Sequence, residues 1–252
     1  MRILYNLIMV IIIILSPVII FYRILKKKEN PKRFLEKFSF SQKKRLNGKL
    51  IWFHCSSVGE LLSIIPLIEK FEKEADIKSI LISTSTLSSS KIFEKFKFKK
   101  TIHQFYPIDH FFFSKKFLSH WKPDVAIFLE SEIWPSMFKF IKKRNIPLIL
   151  LNARITKKSF GRWNKIRKFS YSIFSLIDKA YSQNLETNYY LKKLKVKNIK
   201  STGNLKFIEH DSFETNQADK KLFSQFRKYK TFVAASTHNT EELFAAKTHI
   251  LL

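Results

Sequence analysis

The sequence predicts an α/β fold, a parallel sheet flanked by helices and preceded by one transmembrane helix. Three observations predict it. Residues 3–22 contain no charged side chain. Short β-branched or aromatic runs then alternate with longer amphipathic ones, the pattern of βαβ units. Polar residues recur where each short run ends, which is where open α/β sheets bind ligands.

The first element is the anchor, residues 1–25. Leu7 to Leu15 is nearly all aliphatic, and the whole stretch is long enough to cross a hydrocarbon layer of about 30 Å as a helix. A cleaved signal peptide would have a shorter apolar region ending at a small-residue site. Here Arg23, Lys26, Lys27 and Lys28 follow, while only Arg2 precedes, so the positive-inside bias leaves the rest of the chain in the cytoplasm. Pro17 lies inside the span as a potential kink. The basic segment 26–48 is expected to lie along the membrane, gaining about 1 kcal/mol per cation beside an anionic leaflet.

Domain 49–207 follows. Leu50 to His54 reads as the first strand, running into Cys55-Ser56-Ser57-Val58-Gly59-Glu60 and then a helix with Leu61, Leu62, Ile65, Leu67, Ile68 and Phe71 apolar. Ser79 to Thr84 is the second strand, with a hydroxyl-rich turn through Ser90 that can cap a helix. Thr101 to Tyr106 is the third and Val125 to Leu129 the fourth, which ends at Glu130-Ser131-Glu132. Pro147 to Leu151 is the fifth and ends at Asn152-Ala153-Arg154. The polar stretch 208–229 reads as a linker. Thr231 to Ala235 then opens a further strand-loop-helix unit, 230–252, which begins a second domain and does not finish it.

Composition narrows the partners. The 252 residues suit one full domain and part of a second, and 45% apolar content supports a core. Against 20 Asp and Glu stand 47 Lys and Arg, a formal +27, which favours an anionic partner such as phospholipid, nucleic acid or a phosphorylated substrate. Nucleotide bias in coding would produce much of the same excess, since Lys, Ile and Phe are frequent and only 4 Gly are present. The single cysteine, Cys55, excludes an internal disulfide and a multi-cysteine metal site; it reads as a small buried residue. The Gly-rich dinucleotide fingerprint is absent, so neither NAD nor ATP is expected.

The motifs at the strand ends are more specific. Trp52-Phe53-His54-Cys55-Ser56-Ser57-Val58-Gly59-Glu60 resembles the segment after the first strand of the 3-deoxy-D-manno-octulosonic acid (Kdo) transferases. Glu130-Ser131-Glu132-Ile133-Trp134-Pro135, Asn152-Ala153-Arg154, Thr202-Gly203-Asn204-Leu205-Lys206-Phe207 and Ala234-Ala235-Ser236-Thr237-His238 are similar to further family motifs in the same order. The resemblance implies a GT-B architecture of two Rossmann-like halves, the second truncated here. It implies CMP-Kdo as donor and the lipid A precursor as acceptor, with anionic phospholipids of the inner membrane as further partners. No cofactor, no metal and no nucleic acid are expected.

An inverting transfer needs a base near the acceptor hydroxyl, whereas CMP leaves as a phosphate and needs little protonation. Glu60 occupies the family's catalytic position. Its plainer reading is an acidic first-turn residue that stabilises a helix by about 0.3 to 1 kcal/mol. Ser57, Gly59, Glu130, Glu132 and Arg154 are expected to bind or support the acceptor, the two glutamates pointing to one side if the backbone stays extended. One of those glutamates is expected to bond loop amides only. Lys206, Ser236, His238 and Glu241 are expected on the donor, and Arg154 and Lys206 suit phosphate or the Kdo carboxylate. His54 and Trp134 read as packing residues. The charge alone also fits a non-catalytic basic module tethered to a membrane, binding anionic lipid or nucleic acid.

Overall fold

The structure, a computed structural model, describes residues 1–207 and 234–251. It comprises two compact units, Met1–Glu209 and His210–Leu252. In the first, α1 (Arg2–Leu25) is followed by a short 3-10 helix (Phe34–Phe38). Then come β1 (Lys49–Cys55), α2 (Val58–Lys73), β2 (Ile77–Thr84), α3 (Leu87–Phe93), β3 (Thr101–Phe105), α4 (Phe111–Trp121), β4 (Val125–Leu129), α5 (Pro135–Lys143) and β5 (Leu148–Ala153). The unit continues with α6 (Lys157–Lys165), α7 (Arg167–Phe174), β6 (Lys179–Ser182), α8 (Leu185–Lys193) and β7 (Ile199–Ser201).

The seven strands form one parallel sheet in the order β3-β2-β1-β4-β5-β6-β7. Both faces are covered, which is why the strands read as continuous apolar runs. Alternation along each strand divides the core in two. Leu50, Trp52, Ala126, Phe128, Leu148 and Leu150 pack against α4, α5 and α7. Phe53, Cys55, Ile80, Ile82, Ile127 and Leu129 pack against α2 and α3 on the other side.

Four polar residues in the loops after the strands cap helices. Ser57, Thr86, Thr156 and Asn184 each accept a bond from the backbone N–H three residues on, starting α2, α3, α6 and α8. Pro135 starts α5, where a missing N–H costs nothing. The expected α/β architecture, a Rossmann-like parallel sheet flanked by helices, is present.

The basic segment 26–48 straps the edge of the sheet beside β3. Glu36 accepts from the Phe105 N–H at 2.7 Å and pairs with Arg33 at 2.8 Å, and Lys37 pairs with buried Glu29 at 2.6 Å. Lys43 and Arg45 donate to the carbonyls of His103 and Trp121. An edge strand offers unpaired backbone groups, and these side chains use them. Lys26, Lys27, Lys28 and Lys32 remain exposed. The expected apolar helix, α1, runs unbroken through Pro17 and covers one face on the same unit: Tyr5, Met9, Ile13 and Ile24 are half-buried, Ser16 and Ile20 buried.

In the second unit, residues 234–251 carry α9 (Glu241–Leu251), with Ala234 and Ala235 irregular. Residues 231–233 of the expected strand and the expected linker 208–229 lie outside the described residues.

Candidate active site

In this strand order the crevice opens where successive connections leave in opposite directions, between β1 and β4. β1 delivers Ser56 to Glu60 to that point and β4 delivers Glu130 to Trp134. The first group begins α2. Ser57 Oγ accepts from Glu60 N–H at 3.2 Å, Glu60 Oε2 accepts from Ser56 N–H at 2.7 Å, and Ser57 Oγ also donates to Glu60 Oε1 at 3.0 Å. Ser57 caps the helix and the Glu60 carboxylate folds back onto the residue before the cap, as a first-turn acid at a helix start can. The carboxylate keeps lone pairs beyond these two bonds.

Glu60 is only 7% exposed. Burial raises its pKa, the charges of Glu132 and Glu130 add to the rise, and the bonds from Ser56 and Ser57 oppose it. The result is a carboxylate held above its ordinary range by its surroundings. Cys55 beside it is fully buried, and burial with the same carboxylates pushes its thiol up, so it stays protonated.

Glu132 is fixed from behind. His54 Nε2 lies 3.2 Å from Glu132 Oε2, and Trp134 Nε1 donates to the same oxygen at 2.9 Å. His54 Nδ1 lies 3.0 Å from Ser83 Oγ and 3.1 Å from the Ser83 carbonyl oxygen. The imidazole is fully buried and stacks on Tyr106 with ring centres 3.9 Å apart. His54 and Trp134 therefore pack, as read from the sequence, and also orient a carboxylate. That role has no local signature, because Glu132 is 78 residues away.

Glu130 reaches the site differently from expectation. β4 ends at Leu129 and Glu130 takes a left-handed backbone, φ 49°, so alternation along an extended strand does not align the two glutamates. The turn does. Glu130 O accepts from Arg154 N–H at 3.3 Å, and its Oε1 lies 2.7 Å from Lys206 Nζ. That contact is an ion pair whose angle is off-line for a hydrogen bond, since Oε1 is buried without a hydrogen-bond partner among the described residues.

Lys206 is thus on the Glu60 side of the site. A Cβ at Gly59 would meet its Cε at 3.7 Å and its Nζ at 3.8 Å, so the ammonium overhangs the start of α2. The segment carrying it is tied to β5 by Asn152, whose Oδ1 accepts from Leu205 N–H at 3.1 Å and whose Nδ2 donates to Asn204 at 3.3 Å. Asn152 is buried with φ 51°, a conformation Asn tolerates better than most residues. The motif containing Asn152 was legible; its function as a tether was not. The Arg154 side chain is exposed at the same strand end.

Ser236, His238 and Glu241 belong to the second unit. Glu241 Oε2 accepts from His238 N–H at 2.8 Å, a cap for α9, and Ser236 has φ 57°. All three are exposed.

Comparison with known proteins gives a consistent family. The model of a family described as 3-deoxy-D-manno-octulosonic-acid transferase (kdotransferase) matches residues 32–209. The chain is 36% identical over 230 residues to a 3-deoxy-D-manno-octulosonic acid transferase of Rickettsia bellii, covering 89% of this chain and 54% of that one. It is 32% identical over 240 residues to a probable mitochondrial 3-deoxy-D-manno-octulosonic acid transferase of Arabidopsis thaliana, covering 92% and 53%. The chain therefore spans about half the length of these curated relatives. Among solved structures, a UDP-GlcNAc 2-epimerase from Neisseria meningitidis aligns with TM-score 0.45 at 13% identity, over 62% of this chain and 46% of that one.

Proposed function

The chain belongs to the 3-deoxy-D-manno-octulosonic-acid transferase family, and from that membership we propose that it supplies the acceptor half of an inverting glycosyltransferase. The reaction moves Kdo from CMP-Kdo to the lipid A precursor in lipopolysaccharide synthesis, at the cytoplasmic face of the inner membrane. The observation that carries this reading is Glu60, a buried carboxylate with a raised pKa at the start of a helix in the sheet crevice.

In the proposed step the acceptor hydroxyl attacks the anomeric carbon of Kdo from the side opposite the phosphate. Glu60 takes the hydroxyl proton, the anomeric C–O bond breaks, and CMP leaves with the bonding electrons. A base whose pKa is raised toward working pH is a better proton acceptor than an ordinary glutamate. Lys206, held by Glu130 above Gly59, offers positive charge as the phosphate departs, and Arg154 at the β5 end suits a phosphate of the acceptor. Glu132, held by His54 and Trp134, lies beside Glu60. Ser57 fixes the carboxylate through the cap. Ser236, His238 and Glu241 are the donor-side candidates. The step as written needs no metal or cofactor.

The test is transfer of radiolabelled Kdo from CMP-Kdo to lipid A precursor in detergent. This chain alone is compared with the same chain joined to the carboxyl-terminal half of the Rickettsia bellii relative. Product from the joined form supports the reading, and loss of that product with Glu60→Gln supports the base. Product from the joined form that survives Glu60→Gln removes Glu60 from the chemistry.

A further inference from the structure

The apolar amino-terminal helix was expected to cross the bilayer, yet its packing is of another kind. Along α1 the covered residues are Tyr5, Met9, Ile13, Ser16, Ile20 and Ile24, spaced by three or four, so they form one stripe down the whole helix. The remaining faces are exposed and apolar: Ile3 is 85% exposed, Ile14 69% and Val18 71%.

The stripe is fastened at both ends. At the start, the Tyr5 hydroxyl donates to Asp109, a carboxylate buried at the turn after β3 that also accepts from the Ser136 and Met137 N–H groups of α5. The Tyr5 ring lies 6.0 Å from that of Phe169 on α7. At the far end, Arg23 pairs with buried Glu29 at 3.1 Å. Tyr5 and Arg23 are separated by about 27 Å of helix axis at 1.5 Å per residue, nearly the thickness of a bilayer's hydrocarbon core, about 30 Å.

A helix docked in this way cannot also span. If it did, Asp109, Asn164, Lys165, Arg167 and Lys168 would be carried through the hydrocarbon, because the last four line a cavity with Met1 at the start of α1. Charged groups are costly there and side chains on a rigid domain have no route to snorkel across it.

The exposed apolar surface continues beyond the helix. Phe111 lines a cavity of about 300 Å³ together with Tyr5 and Asn6, and Phe111 and Phe112 are 53% and 54% exposed. Beside the carboxyl-terminal end of α1 stand the exposed cations Lys26, Lys27, Lys28 and Lys32. α1 itself is apolar on every exposed face, and the domain under its covered stripe supplies the polar side that an element lying in the interface plane needs, with exposed aromatics and a Lys cluster adjoining. The loops that α1 touches, after β2 and β3 and at the start of α5, are at the carboxyl edge of the sheet, the edge that also carries Glu60.

We propose that α1 does not cross the membrane but stays clasped to the domain and lies in one leaflet of an anionic phospholipid bilayer. Phe111 and Phe112 then enter the same leaflet, and the crevice opens at headgroup level. This inference rests on the membrane association proposed above and replaces its spanning form.

The test uses the full chain in sealed phosphatidylethanolamine and phosphatidylglycerol vesicles. Cysteines are placed by Tyr5→Cys and Phe169→Cys and joined with a short bis-maleimide; native Cys55 is buried and stays unreactive. We expect the crosslink to form as fully in floated vesicles as in detergent. A crosslink seen in detergent and lost in vesicles overturns the docked arrangement while leaving membrane association intact. Failure of the chain to float with vesicles overturns both. An independent measurement needs no substitution: with different tags at the two termini, external protease should remove both tags from the same molecules. Molecules that each keep one tag would show a spanning helix.

Discussion

Replacing Glu60 by Gln leaves an acceptor oxygen and the same side-chain length at the third position of α2, so the bond from Ser56 N–H is retained while the proposed base is lost. We expect Glu60→Gln to lower transfer by the joined enzyme by about 10² to 10⁴, the usual range for a general base, with the fold retained. Ser57→Ala should do the reverse, costing about 1 kcal/mol of stability through the lost cap with a smaller effect on rate. The raised pKa of Glu60 also has a sign. Its favourable contribution to folding is complete below the unfolded value, about 4.3, and is lost as pH rises through the higher folded value. Glu60→Gln should remove that part of the pH dependence of stability. The pH–rate profile should likewise break on its acid side above the ordinary glutamate range. Glu60 was legible because a strand, a cap and an acid are contiguous in sequence. The Lys206–Glu130 pair and the His54–Glu132 contact were not, since each joins segments more than 70 residues apart.

β1 to β5 were readable because strands buried on both faces are uninterrupted apolar runs. β6 and β7 were missed for the same reason inverted: Lys179-Ala-Tyr-Ser and Ile199-Lys-Ser are short and toward the sheet's edge, where burial no longer dictates composition. The strapping by residues 26–48 was not legible, because its partners are backbone groups and the scattered carboxylates Glu29, Glu36, Glu94 and Asp124, which leave no pattern. Glu36→Ala should test that strap. It leaves the Phe105 N–H without its acceptor and takes the close carboxylate from the half-buried Arg33, which keeps the His103 carbonyl and Ser90 Oγ, and we expect about 1 to 3 kcal/mol of destabilisation in chemical denaturation of the detergent-solubilised chain. Ile65→Ala on α2, fully buried under the sheet, should cost about 2 to 5 kcal/mol in the same measurement.

Across the whole molecule the formal charge of +27 divides into cations with internal duties and cations left for partners. Arg33, Lys37 and Lys206 are paired with carboxylates, whereas Lys26, Lys27 and Lys28 are exposed at one end of α1. Removing these three should weaken binding to anionic vesicles about 5-fold per residue, from about 1 kcal/mol each. Binding to neutral vesicles should not change, and the difference should vanish at high salt, read by flotation. The four tryptophans are also unequally placed. Trp52 and Trp121 are fully buried and bonded to Ser83 and Gln104, which makes them a constant background. Trp134 instead donates its indole N–H to Glu132 beside the Glu60 carboxylate. The site therefore contains its own optical reporter: the emission of one native indole should follow the protonation or occupancy of the crevice, without any label attached to the protein.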